Sequence, residues 1–170
     1  PWSELAEDFE MSFEEHPPTI LKKLESDYPE ERLFGLFLTS RSKALPMIKH
    51  HPSYLENGKF QKEELLYKKS IEFANPTGFF GGEVAELLYN RHNPVRLIES
   101  GLYLLWFSVY VEGKENDLRF RNAKAWAAAI EYEWHKLRGE KIPQKEIATM
   151  YGVSLSTLSK YVNQVANLLQ

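Results

Sequence analysis

Gln144-Lys-Glu-Ile147-Ala148-Thr-Met-Tyr151-Gly152-Val153-Ser154-Leu-Ser-Thr-Leu158-Ser-Lys160-Tyr161-Val162 carries the spacing of small, apolar and turn residues that a helix-turn-helix requires. Pro143 suits the first helical turn, where an N–H would be unpaired anyway, and Gln144 to Met150 follow as a short helix with Ile147 facing inward. Ala148 is small where two helices must cross. Gly152 falls where the chain turns sharply, a place that favours positive φ, and Val153 plugs the corner. Ser154 is an N-cap whose hydroxyl can accept from the N–H of Ser156 or Thr157. Leu158 and Val162 repeat at four-residue spacing, with Leu155, Val165 and Leu169 widening the apolar stripe. Ser156, Ser159, Lys160, Asn163 and Asn167 remain for the outer face.

Immediately upstream, Ala125-Trp126-Ala127-Ala128-Ala129-Ile130 begins a strong helix. The order of Ala-rich helix, short linker, Gln-Lys-Glu-Ile-Ala, Gly-Val-Ser and second helix resembles the last three helices of the cyclin-like repeat in transcription factor IIB, and also bacterial helix-turn-helix modules. The resemblance covers about residues 122 to 169. It implies a trihelical module and a way of docking on DNA.

Double-stranded DNA is therefore the first partner to weigh. In that reading the N-terminal half of the second helix enters the major groove, where Asn163 can pair with adenine and Lys160 can reach guanine or phosphate. Ser154, Ser156, Thr157 and Ser159 can donate to phosphates or base edges, and Lys145 can reach the backbone from the first helix. The alternative is a helical protein-interaction module in which the same unit is only structural, or an accessory domain of a larger protein.

Charge supports both readings. The 170 residues have net charge −3, divided as 13 basic against 20 acidic residues in 1–118 and 8 against 4 in 119–170. The basic excess accompanies the helix-turn-helix, as attraction to a polyanion requires, yet the second helix holds one cation. The acidic first part, 1–118, reads as a sensor, dimerisation or partner-docking domain, with homodimerisation and a protein partner both open. The boundary is drawn at the charged stretch Lys114 to Leu118, with 119–170 as the module.

Other function classes find little footing. With no cysteine, disulfides, thiolate zinc sites and a cysteine nucleophile are excluded, and a reducing cytoplasm is the expected compartment. The apolar run Leu102 to Val111 is about half the ~20 residues needed to cross a bilayer. No basic start with an apolar core marks a secretory signal, and the absence of an initiator Met suggests a processed chain or a fragment. His50-His51 and His92 make a poor chelate and are assigned surface or capping roles, so no metal or other cofactor is expected. Gly78-Phe-Phe-Gly81-Gly82 lacks the ending of a P-loop and reads as a hinge or tight turn. Glu14-Glu15, Glu30-Glu31 and Glu63-Glu64 read as solvated helix faces, and Glu131 with His135 as a surface pair. No constellation indicates an enzyme.

Punctuation by proline and glycine at helical intervals, with little period-two alternation, predicts an all-α protein in which a C-terminal cyclin-box-like trihelical module packs on a helical domain. Expected helices run from Ser3 to about Met11, Thr19 to Ser26, onward from Pro29 with Leu33, Phe34, Phe37 and Leu38 buried, Lys59 to Ala74, Glu83 to Asn90, Val95 to Val111, and Phe120 to Arg138. Asn93-Pro94 is read as the start of the 95–111 helix and Gly113 as its stop. Trp126 and Trp134, with Ile130, are expected in the core, and Tyr132 with them, in preference to base stacking. The same holds for Tyr103, Trp106, Phe107 and Tyr110.

Overall fold

A computed structural model describes residues 10–75 and 78–170. Among them the chain is all-α, without strands. A 3-10 turn, Phe13–Glu15, precedes ten helices: α1 Pro17–Leu24, α2 Pro29–Arg41, α3 Leu45–Ile48, α4 Pro52–Leu55, α5 Lys62–Glu72, α6 Phe80–Arg91, α7 Leu97–Glu115, α8 Ala123–Leu137, α9 Gln144–Tyr151 and α10 Leu155–Leu168. The helix expected from Ser3 lies outside the described residues.

Local chemistry explains most of these starts. Prolines occupy the first turns of α1, α2, α3 and α4, where no N–H is missed. His16 and His51 cap α1 and α4 by accepting from the N–H groups of Thr19 and Ser53 at 3.3 and 3.0 Å. His51 thus has the capping role expected of it.

The apolar helix α7 lies at the centre. Leu102, Tyr103, Trp106, Phe107, Val109 and Tyr110 are buried against α2, α6, α8 and α10. Along α2 every residue from Arg32 to Thr39 is buried, a wider coverage than the four-residue face expected. One hydrophobic cluster runs from Phe13 through α7 to Val165 in α10. Trp126 and Trp134 belong to it, with Tyr132 packed at its edge, so these aromatics do not form an exposed stacking platform.

Several sequence expectations are corrected by packing. In the boundary stretch Lys114 to Leu118, α7 continues to Glu115, and Leu118 and Phe120 pack against the core. Gly113 does not stop the helix. A Cβ there would stand 2.5 Å from the Phe120 ring, which itself lies 5.0 Å from Tyr110 and 4.8 Å from Trp126, so close approach is the reason for glycine. Asn93-Pro94 does not start α7. Its peptide is cis, and the helix begins after Arg96, whose N–H and guanidinium both meet Glu99. Gly81 and Gly82 are no hinge but lie inside α6, where Gly81 carbonyl oxygen accepts from Trp106 at 2.7 Å and a Cβ on Gly82 would press to 2.9 Å from Tyr67. The helix expected over 59–74 is shorter, because Glu64 reaches back to the Gln61 N–H at its start and Ala74 has φ 49° beyond its end.

Two supposedly solvated acids are buried. Glu64 is 1% exposed and pairs with Arg32 at 2.7 Å, whose guanidinium also donates to the Ser26 carbonyl. Glu14 accepts from the Val95 N–H and the Tyr89 hydroxyl, which pins the 3-10 turn against the entry to α7.

Candidate functional site

The helices α8, α9 and α10 pack against one another. Gly152 caps α9 with φ 67°, the left-handed conformation that its lack of a Cβ permits, and Ser154 accepts from the Thr157 N–H at 3.1 Å. Ile147, Ala148, Leu158, Val162 and Val165 are buried in the crossing. Pro143 stands at the N-cap, one position before its expected place. Leu155 and Leu169 do not widen the buried stripe, being 48% and 43% exposed.

Of the seven candidate DNA contacts, Lys145, Ser154, Ser156, Lys160 and Asn163 are exposed. Several are also engaged within the unit: Ser154 caps α10 and donates to the Thr157 hydroxyl, its hydroxyl lies 3.2 Å from that of Ser156, and Ser159 donates to Gln144 at 2.7 Å. Ser159 therefore ties α10 to α9 instead of facing outward.

Beneath this unit lies a buried carboxylate that sequence reasoning placed on the surface. Glu131 is 1% exposed, and its Oε1 accepts from the Tyr151 hydroxyl at 2.7 Å and from Arg91 Nε at 3.1 Å. His92 Nε2 stands 2.5 Å from the same oxygen. An ionised carboxylate only accepts, so that nitrogen carries the proton. Burial opposes the charge, but the hydrogen bonds from His92 and Tyr151, the charge of His92 and the Arg91 hydrogen bond prevail and hold Glu131 down at about 2. Burial and the neighbouring carboxylate push the Tyr151 hydroxyl far above its ordinary range.

This cluster joins distant parts of the chain. Arg91 and His92 end α6, Glu131 lies mid-way along α8 and Tyr151 closes α9, so one side chain fixes the first helix of the helix-turn-helix to the preceding bundle. His92 also packs edge-on to Trp134 at 5.4 Å, and its carbonyl oxygen accepts from Tyr103. It is a structural residue rather than a surface histidine. Among the described residues no group of side chains has the makings of a metal site. A sequence signal did exist: Ala127, Ile130, Glu131 and Trp134 share one helical stripe, which puts a carboxylate in line with core residues.

A second surface went unnoticed in the sequence. Leu65, Leu66 and Phe73 in and just after α5 are 52%, 45% and 72% exposed. Lys62 and Lys69 alternate with them on the side away from buried Tyr67 and Ser70.

No protein-family model matches this chain, and no solved structure matches it. The chain is similar to the TPR repeat-containing protein YvcD of Bacillus subtilis (strain 168), 26% identical over 175 residues that cover 89% of this chain and 36% of the relative. It thus spans about a third of that protein's length. These comparisons lend no support to duplex DNA as a ligand. No helix among the described residues is long and apolar enough to cross a membrane.

Proposed function

We propose that this chain is a helical protein-interaction module whose helix-turn-helix serves as a packing unit. The observation that carries the reading is the similarity, along most of the chain, to a protein described by its TPR repeats. Such repeats are helical hairpins that stack into extended surfaces for binding partners. The structure supports it in two ways. Glu131 and the shared core build α9 and α10 into the bundle, and Leu65, Leu66 and Phe73 stand exposed in and just after α5, where a partner can reach them. No reaction is assigned to the module.

The test places a photo-crosslinking residue in turn at Phe73, Leu137 and Asn163, in the host cell, alongside a low-salt gel shift with mixed duplex DNA. Protein adducts are expected from Phe73 or Leu137, with no retarded duplex. Retardation that is lost in Lys160→Ala and Asn163→Ala, without protein adducts, overturns the reading.

A second reading, duplex DNA bound through α10, is favoured by one observation: Ser156, Lys160 and Asn163 all face solvent. It carries with it the likeness to a cyclin-like repeat. Its signature is a binding constant that falls with salt, less steeply in Lys160→Ala.

A further inference from the structure

We propose that the outer face of α5 is a docking site for an acidic amphipathic helix. The inference rests on the protein-interaction reading and names the chemistry of the partner. Leu65, Leu66 and Phe73 are all exposed, and they lie along one side of α5 and of the residue just past its end. Leu55 on the neighbouring α4, 53% exposed, extends the apolar area, since Lys68 bridges the two helices by donating to the Leu55 carbonyl. Isolated exposed leucines are ordinary, but several on one helix face mark a surface that a partner covers.

Charge decides what covers it. Lys62 and Lys69 are exposed between the apolar side chains, and neither has an ion-pair partner among the described residues. The acids nearby are mostly engaged: Glu63 accepts from Tyr110 and lies 3.9 Å from Lys114, while Glu64 is buried with Arg32. Glu72 remains at the edge. The face is thus apolar and locally basic on a region whose overall charge is −7 from 20 acidic and 13 basic residues. A helix with an apolar stripe flanked by glutamates matches the exposed apolar side chains and the two lysines between them.

The 12 residues from Lys62 to Phe73 span about 18 Å at 1.5 Å per residue, so a probe of about 14 residues covers them. Fluorescence anisotropy is measured with a labelled amphipathic peptide of leucine and glutamate, and with its leucine and lysine counterpart, against the whole chain. Saturable binding of the Leu/Glu peptide is expected, weakened at least tenfold by Leu66→Ser with Phe73→Ser and likewise by Lys62→Glu with Lys69→Glu. Leu137→Ser and Lys160→Ala leave it unchanged. The charge-reversed pair keeps the test decisive if the serine pair misfolds. Equal binding of both peptides, or indifference to the α5 variants, overturns the proposal. So does capture by phosphatidylserine vesicles in place of the peptide, or self-association lost in the same variants. Should the peptide fail while crosslinks to protein form from Leu137, the docking site is wrong and the interaction reading stands.

Discussion

Replacing Glu131 by Gln tests whether a buried carboxylate clamps the helix-turn-helix to the bundle. Its carboxyl is held at about 2 against an ordinary 4.5. At about 1.4 kcal/mol per pH unit of displacement, the ionised group contributes roughly 3 kcal/mol to folding. Glutamine keeps an oxygen that can accept from Tyr151 and Arg91 but loses the charge that strengthens those bonds, so a loss of about 2–3 kcal/mol is expected at neutral pH. For a chain of this length that lowers Tm by roughly 5–10 °C. The pH dependence is more diagnostic than the size. Because the folded pKa is depressed, the contribution is complete above the unfolded value near 4.5 and is lost as pH falls through about 2. The variant has no such group, so the gap between the two proteins narrows as the pH falls from about 5 to about 2. Urea unfolding of both proteins across that range measures it. A gap below about 0.5 kcal/mol at neutral pH, or one that stays constant into acid, refutes the clamp.

Three further substitutions probe the local reasons for the fold. Ser154→Ala removes the cap of α10 and is expected to cost about 1 kcal/mol by urea denaturation, with helix content otherwise intact by circular dichroism. Gly82→Ala sets a methyl 2.9 Å from the Tyr67 ring, which is buried and stacked 4.6 Å from Phe79, so a loss of about 1–3 kcal/mol is expected; a neutral result means that the α5–α6 contact is loose. Arg32→Ala leaves Glu64 buried without its partner and is expected to destabilise by about 3–5 kcal/mol, with Glu64→Gln in the same background recovering part of the loss.

The sequence conveyed most clearly what depends on neighbours along the chain. Gly152, Ser154, Leu158 and Pro29 act within one turn of their own positions, and the structure places each in its expected role. What depends on partners far away was hidden. Gly113 carries the local signal of a helix stop, but it lies inside α7 because Phe120 presses on it from beyond the helix end. Glu131 and Glu64 resemble surface acids until Arg91, His92, Tyr151 and Arg32 arrive from 20 to 40 residues away. The exposed leucines of α5 were concealed for the converse reason. An apolar residue is assigned to a core by default, and only the packing of α2 on α5, with Phe107 and Tyr110 of α7 against Tyr67 and Glu63, shows which side of α5 is left uncovered.

The geometry of a helix-turn-helix does not by itself select a ligand. Ala148, Gly152, Ser154 and Leu158 are set by the crossing of two helices, and that crossing is the same whether the outer face meets DNA, protein or water. The discriminating chemistry lies in the outer charges. Here α9 and α10 contribute one lysine each, Lys145 and Lys160. Two phosphate contacts give a slope of binding against salt of about −2 on logarithmic axes, a loss of roughly tenfold between 50 and 200 mM, whereas six to ten contacts lose about a thousandfold or more. To reach that regime Arg119, Arg121 and Lys124, at the approach to α8, must contribute as well. Tyr161 of α10 packs 5.2 Å from Trp126 and donates to the Arg121 carbonyl at 3.5 Å, which sets the Arg121 backbone beside α10. The steep salt dependence of a dedicated DNA binder therefore demands more cations than α9 and α10 provide, and a duplex affinity that does not change with salt assigns the unit to packing.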